Sequence, residues 1–230
     1  MLVHTGITVF NAILQLLLIS FAAGILVRKN LVSEGQVKAL SATVVNIFLP
    51  CMIMAKTLIH FHPREFALWW ILPLSGIFIV AVGLFFSRAL FGRSPQKRPF
   101  MALAAMQNAI YIVLPIGQIL FPDRFDLFAL YCFLLVMGLN PVMWSLGKVM
   151  LAGQNRGGIL WQDFFTPPLA AIFLSVAVVL LGLGQWIPSA LVGSMDMLGQ
   201  ATVPLAVFVL GATMGTISLK DMPPLRDILI

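Results

Sequence analysis

The chain of 230 residues is 60% hydrophobic and 10% charged, with a mean hydropathy of +1.02. A soluble domain averages about 25% charged residues, so this composition excludes a water-exposed globular fold and makes the lipid bilayer the solvent. The formal net charge of +6 would suit nucleic acid, but the basic residues sit in short connections between apolar runs without interleaved aromatic residues, which argues against that partner.

Seven apolar runs follow in chain order, at 7–27, 37–59, 66–90, 100–121, 127–151, 167–183 and 190–214, each near the ~20 residues a helix needs to cross a bilayer. No Lys or Arg precedes the first run, and Arg28 and Lys29 follow it directly, so it reads as a retained helix rather than a cleaved leader. In the second run Asn46 precedes Pro50 by four residues, and Lys56 lies near the far end. The stem of Lys56 is expected to lie along apolar surface while its ammonium snorkels outward; attraction of anions to an outer vestibule is the other reading. Cys51 and Cys132 fall inside apolar runs and act as small hydrophobes. Trp69 and Trp70 open the third run, and Trp161 and Trp186 flank the sixth, at depths that suit an interfacial aromatic belt. The longest connections, 88–99 and 152–166, are too short to bury a core, so the chemistry belongs inside the membrane.

The fourth run holds Gln107-Asn108-Ala109-Ile110-Tyr111-Ile112-Val113-Leu114-Pro115 at mid-membrane depth. A proline there removes a backbone hydrogen bond, and the freed groups survive in hydrocarbon only where protein or a watery cavity surrounds them. Pro115 suits the first position of a second half-helix, whose unpaired amides and positive dipole end would face a carboxylate. The last carbonyls of the first half-helix and the Asn108 oxygen would face a cation or a substrate donor. A plain kink with an amide bonded to a neighbouring helix remains the alternative. The fifth run adds Asn140-Pro141, and the seventh has Gln200 four residues before Pro204. Runs two and seven thus share an amide on the residue whose carbonyl a proline leaves unpaired. They stand five runs apart, and a repeat of five helices must be inverted in the membrane.

Lys and Arg divide unequally between the two sets of connections. One set holds Arg28, Lys29, Lys38, Arg88, Arg93, Lys97, Arg98, Lys148, Arg156, Lys220 and Arg226, and the other only Arg64 and Arg124. The positive-inside rule then predicts an N-terminus outside.

The stretch Gly24-Ile-Leu-Val-Arg-Lys and the stretch Leu40-Ser-Ala-Thr-Val-Val-Asn-Ile-Phe-Leu-Pro50 resemble the opening helices of the auxin efflux carrier family of bacterial permeases, within the bile acid/auxin transporter superfamily. The Asn108 to Pro115 spacing, and Leu198-Gly-Gln-Ala-Thr-Val-Pro204 through Gly211, are similar to that family's fourth and seventh helices. The resemblance implies an all-α polytopic membrane protein of ten helices in two inverted five-helix repeats, with the fourth and ninth helices broken and crossing at the substrate site. Seven of the ten would be present here, with the fourth broken at Pro115. Residues 1–151 would form the first repeat and 152–230 the truncated start of the second, with Lys220-Asp221-Met222-Pro223-Pro224 leading onward. It further implies transport of a small organic anion such as a carboxylate by alternating access. The first, second, sixth and seventh helices would form a scaffold, able to homodimerise, and the third to fifth a moving part. Asn108 and Pro115 become crossover residues, and Gln107, Tyr111, Asn140, Asn46 and Gln200 complete the substrate-binding candidates. The chain departs from the family at Ile110 and Val113, where glycines are frequent.

No Asp or Glu lies well inside a run, with Asp196 only at the approach to the seventh, so the coupling ion, proton or sodium, stays open; no cofactor is expected. An enzyme is not expected, because Ser75, Ser145 and Ser175 lack an intramembrane His or carboxylate, while His4, His60 and His62 belong to the outer side. His60 and His62 are too few ligands for a metal centre. A non-transporting seven-helix receptor or scaffold is the competing class. The expected location is a bacterial plasma (inner) membrane, with bilayer lipid and the organic anion as partners.

Overall fold

The computed structural model describes residues 2–92, 97–105, 110–143, 145, 150 and 166–217, and every regular element among them is a helix. Helix α1 (Leu2–Arg28) ends where Asn30 takes a left-handed φ of 56°. The Leu31 N–H then reaches the Leu26 carbonyl and the Asn30 N–H the Val27 carbonyl, which satisfies groups that a helix end leaves unpaired. Helix α2 (Glu34–Thr43) starts on a capping box, in which Ser33 Oγ accepts from the Gln36 N–H and Gln36 Oε1 accepts from the Ser33 N–H. A π-helical turn at Val44–Phe48 follows, and α3 (Leu49–His60) continues the same run.

Next come α4 (Ile71–Phe91), α5 (Lys97–Ala105), α6 (Val113–Leu120) and α7 (Phe125–Val142). Then α8 (Pro167–Leu180) leads to α9 (Ser189–Gln200) and α10 (Thr202–Thr216). Five runs are long and apolar enough to cross a membrane: Gly6–Arg28, Glu34–His60, Ile71–Phe91, Pro122–Val142 and Ser189–Thr216. Two expected spans differ. The sixth is a helix of 14 residues, bounded by Pro167 and Pro168 at one end and by left-handed Gly182 beyond the other, and so spans only ~21 Å. The fourth is divided into the short helices α5 and α6, with 106–109 outside the described residues.

Apolar side chains cover the outside as well as the inside. Phe10, Phe21, Phe85 and Leu90 are 65–76% exposed along α1 and α4, as a lipid-facing surface requires. Between helices the driving force is therefore close packing rather than escape from water, and small residues set how near the backbones come. A Cβ at Gly211 would overlap the Ser20 main chain, one at Gly215 would lie 2.7 Å from the Gly24 oxygen, and α1 and α10 accordingly form the most extensive helix pair. The Gly211 to Gly215 spacing in the seventh run thus serves an intramolecular contact.

Glycine plays the same part in a second group. Gly138 of α7 lies against the Pro73 backbone of α4, Gly76 of α4 against Leu135, and Gly83 of α4 against Ala105 of α5. On the other side α3 packs against α8 and α9, with Gly199 set on the Met52 backbone. The main apolar core joins the two groups around α3, through Leu49, Met52, Ile53, Phe133, Ile172 and Val203.

Replacing Gly211 by Leu is expected to destabilise the protein by at least ~1–3 kcal/mol, because the main chain of α1 has no side chain to move aside. Gly193→Ala, where a Cβ meets open space, should be neutral or stabilising by up to ~1 kcal/mol. Thermal unfolding in detergent micelles compares the two.

Candidate functional site

The interruption between α5 and α6 supplies the first part of the site. Gln107 and Asn108 lie outside the described residues. After them Ile110 enters the main core, and Tyr111 packs half-buried against it. The Leu114 N–H donates to the Ile110 carbonyl at 2.9 Å, and the Ile116 N–H to the Ile112 carbonyl at 3.3 Å. The helical path is therefore established before the proline, and Pro115 is the third residue of α6 rather than the expected first. It still falls in the first turn, where an N–H would have no partner within the helix. Leu114, Pro115 and Gly117 are buried, with the Phe128 ring laid over Gly117, so this helix start is enclosed by protein.

Asn46 and Gln200 mark two further interruptions. Ahead of Pro50 the chain widens into the π turn, where the Leu49 N–H bonds the Val44 carbonyl five residues back; Asn46, within that turn, is exposed. Wide turns of this kind occur often at functional positions. Ahead of Pro204, helix α9 ends at Gln200, Ala201 tightens onto the Leu198 carbonyl at 3.2 Å, and α10 begins at Thr202. The two interruptions adjoin, because both α9 and α10 touch the π turn. Thr202 is buried there, and its hydroxyl has no hydrogen-bond partner among the described residues. Asn140 is half-buried on α7 beside Pro141, and Ser145 Oγ donates to the Pro141 carbonyl at 2.7 Å.

The second part is a charge cluster that sequence reasoning missed. Lys56 does not snorkel: only 8% of its side chain is exposed. Its Nζ lies 2.8 Å from Asp126 Oδ1 and 2.7 Å from Asp196 Oδ1. One turn further along α3, His60 Nε2 stands 3.2 Å from the other oxygen of Asp126. One turn from Asp196 on α9, Gln200 Nε2 donates to Asp196 Oδ2 at 3.1 Å, so this amide serves the cluster. An ammonium withdrawn from water needs counter-charge, and here α7 and α9 each supply a carboxylate. A usable signal was present: Lys56 lies near the outer end of the second run, and Asp126 and Asp196 lie at the outer ends of the fifth and seventh, so one basic and two acidic side chains share an expected membrane face, and such charges pair.

The three serines weighed as nucleophiles are tied to their own helices. Ser75 Oγ donates to the Leu72 carbonyl, Ser145 Oγ to Pro141 and Ser175 Oγ to Ile172, each three or four residues back.

A family model described as "Membrane transport protein" matches residues 8–160 and 154–222. No curated protein matches the chain.

Lys56→Met should cost ~1–3 kcal/mol, less than a fully buried pair because 43% of the Asp126 side chain is exposed. Adding Asp196→Asn to that variant should recover part of the loss, since it removes the more enclosed of the two carboxylates that the lysine had paired and leaves only the more exposed Asp126, beside His60. Equilibrium unfolding of the three proteins measures the difference.

Proposed function

Because the chain belongs to the membrane transport protein family, whose model matches most of its length, we propose that it is a secondary transporter moving a small organic anion such as a carboxylate by alternating access. The observation that carries this reading is the start of α6, a helix N-terminus enclosed by protein in the middle of an apolar chain. The positive dipole end of such a helix start favours a negative group. Asn108 and Gln107 precede this start in sequence, and Tyr111 packs beside it. We assign these residues, with Pro115, to substrate binding.

Asn46, Gln200 and the Thr202 hydroxyl stand at the paired interruptions of the second and seventh runs, where freed carbonyls would receive a substrate donor or a cation. Asn140, beside Pro141, completes the polar set. In this reading residues 1–151 form one five-helix repeat and 152–230 belong to an inverted second. The N-terminus faces outward from a bacterial inner membrane, and the helices carrying α1, α3, α8 and α10 offer a surface for a second copy. A receptor or scaffold that moves no solute is not favoured, because the matching family is one of transporters.

The test is uptake of labelled mono- and dicarboxylates by proteoliposomes. The protein is expected to move at least one of them, and Asn108→Ala to reduce that flux more than tenfold without loss of folding or insertion. Full flux through a correctly inserted Asn108→Ala variant would remove Asn108 from the site. Movement of neutral or cationic solutes in place of every anion would refute the substrate class.

A further inference from the structure

The cluster around Lys56 carries two carboxylates against one ammonium, an excess of one negative charge in a partly enclosed place. Uncompensated charge of this kind is costly, and a proton is the smallest cation able to relieve it. His60 is placed to accept one. Its Nε2 stands 3.2 Å from Asp126 Oδ2, so the neutral ring donates from Nε2 and the incoming proton goes to Nδ1. Histidine is also the side chain whose charge changes in the neutral range. We infer that His60, held by Asp126 beside Lys56 and Asp196, is a proton-binding site, and that the proton is the coupling ion of this protein. The binding site stands on its own geometry; its role in coupling rests on the transporter reading.

Exposure and position agree with this assignment. The lysine side chain is 8% exposed, whereas those of Asp196, His60 and Asp126 are 24%, 28% and 43% exposed, so protons reach the groups that surround the buried ammonium. The charged groups facing His60 are Lys56 on its own helix, Asp126 on α7 and Asp196 on α9, the last bonded by Gln200; α8, which also packs on α3, bears no ionisable side chain. The adjoining turns carry His62, Arg64 and Glu65 after α3, and Asp123 and Arg124 before α7. Asp126 belongs to the helix that α4 grips through Gly76 and Gly138, while Lys56 and Asp196 sit on the mutually packed α3 and α9. The proton therefore binds at the seam between two helix groups. With His60 charged, two positive groups face two negative ones and the seam is held by an ion pair on each side of Asp126. Without the proton the His60 contact falls back to a neutral hydrogen bond, and the seam loosens.

Three histidines occur in the chain, so each ring can be assigned by NMR of histidine-labelled protein in micelles, using His4→Gln and His62→Gln. The His60 signal is expected to move with pH. Its proton affinity should be lower in Asp126→Asn, which keeps the Lys56–Asp196 pair, than in Lys56→Met, which removes the competing positive charge. A His60 signal that is constant from pH 5 to 8, or the same affinity in both variants, overturns the site. Spin labels at Leu127→Cys and Leu191→Cys, with Cys51 and Cys132 replaced, report the α7 to α9 separation. A narrower distribution at pH 5.5 than at pH 7.5, lost in His60→Gln, supports coupling. Identical distributions in the unmodified His60 background overturn it. Neither readout needs a transported solute, so both succeed or fail independently of the flux assay.

Discussion

Hydrocarbon offers a backbone nothing to bond with, so the chain can leave the helical path only where protein takes over that role. Most helix prolines among the described residues are distributed accordingly, with Pro141 inside α7 the exception. Pro50, Pro73, Pro115, Pro168 and Pro204 all fall within the first three residues of a helix. At those positions a missing N–H costs no intrahelical bond. What each proline does cost lies upstream, as carbonyls that the restarted helix does not collect. The π turn before Pro50 and the tightened turn before Pro204 are two ways of handling them, and they sit side by side. Interruption and polarity converge because the same enclosure that protects a free carbonyl also forms a polar place within a lipid-bathed protein.

Two kinds of contact hold the helices together. Within each group the contacts are dry and made by main chain, as at Gly138 on α4 and Gly199 on α3. Between α3 and α7, apolar core packing is joined by a charged link, Lys56 and His60 to Asp126. Main-chain contacts have one geometry, while a charged link can be changed by a proton without any residue leaving its place. The chain thus combines rigid units with an adjustable connection at one end of the bundle.

The spans and their interruptions were legible in the sequence because hydropathy and proline act locally. Five runs have the expected length, and the fourth is broken near the expected place. The sixth run was overestimated because Gly182 looks apolar in a hydropathy window, yet its left-handed φ ends the helix. Pro115 was placed two residues early because the turn at Ile110 already begins the helical path. Lys56 was misread for a different reason. Whether a long basic side chain snorkels or turns inward depends on partners far away in sequence, and Asp126 and Asp196 come together with it only after three helices have packed.

The α1 and α10 contact has a further consequence for reading related sequences. Where two helices touch through side chains, a larger residue on one can be offset by a smaller one on the other, and paired changes accumulate. Gly24, Gly211 and Gly215 allow no such exchange, because each faces main chain, which has no smaller form. The most extensive helix pair among the described residues should therefore leave little covariation signal, and contact maps inferred from correlated substitutions would rank it below looser pairs that side chains mediate.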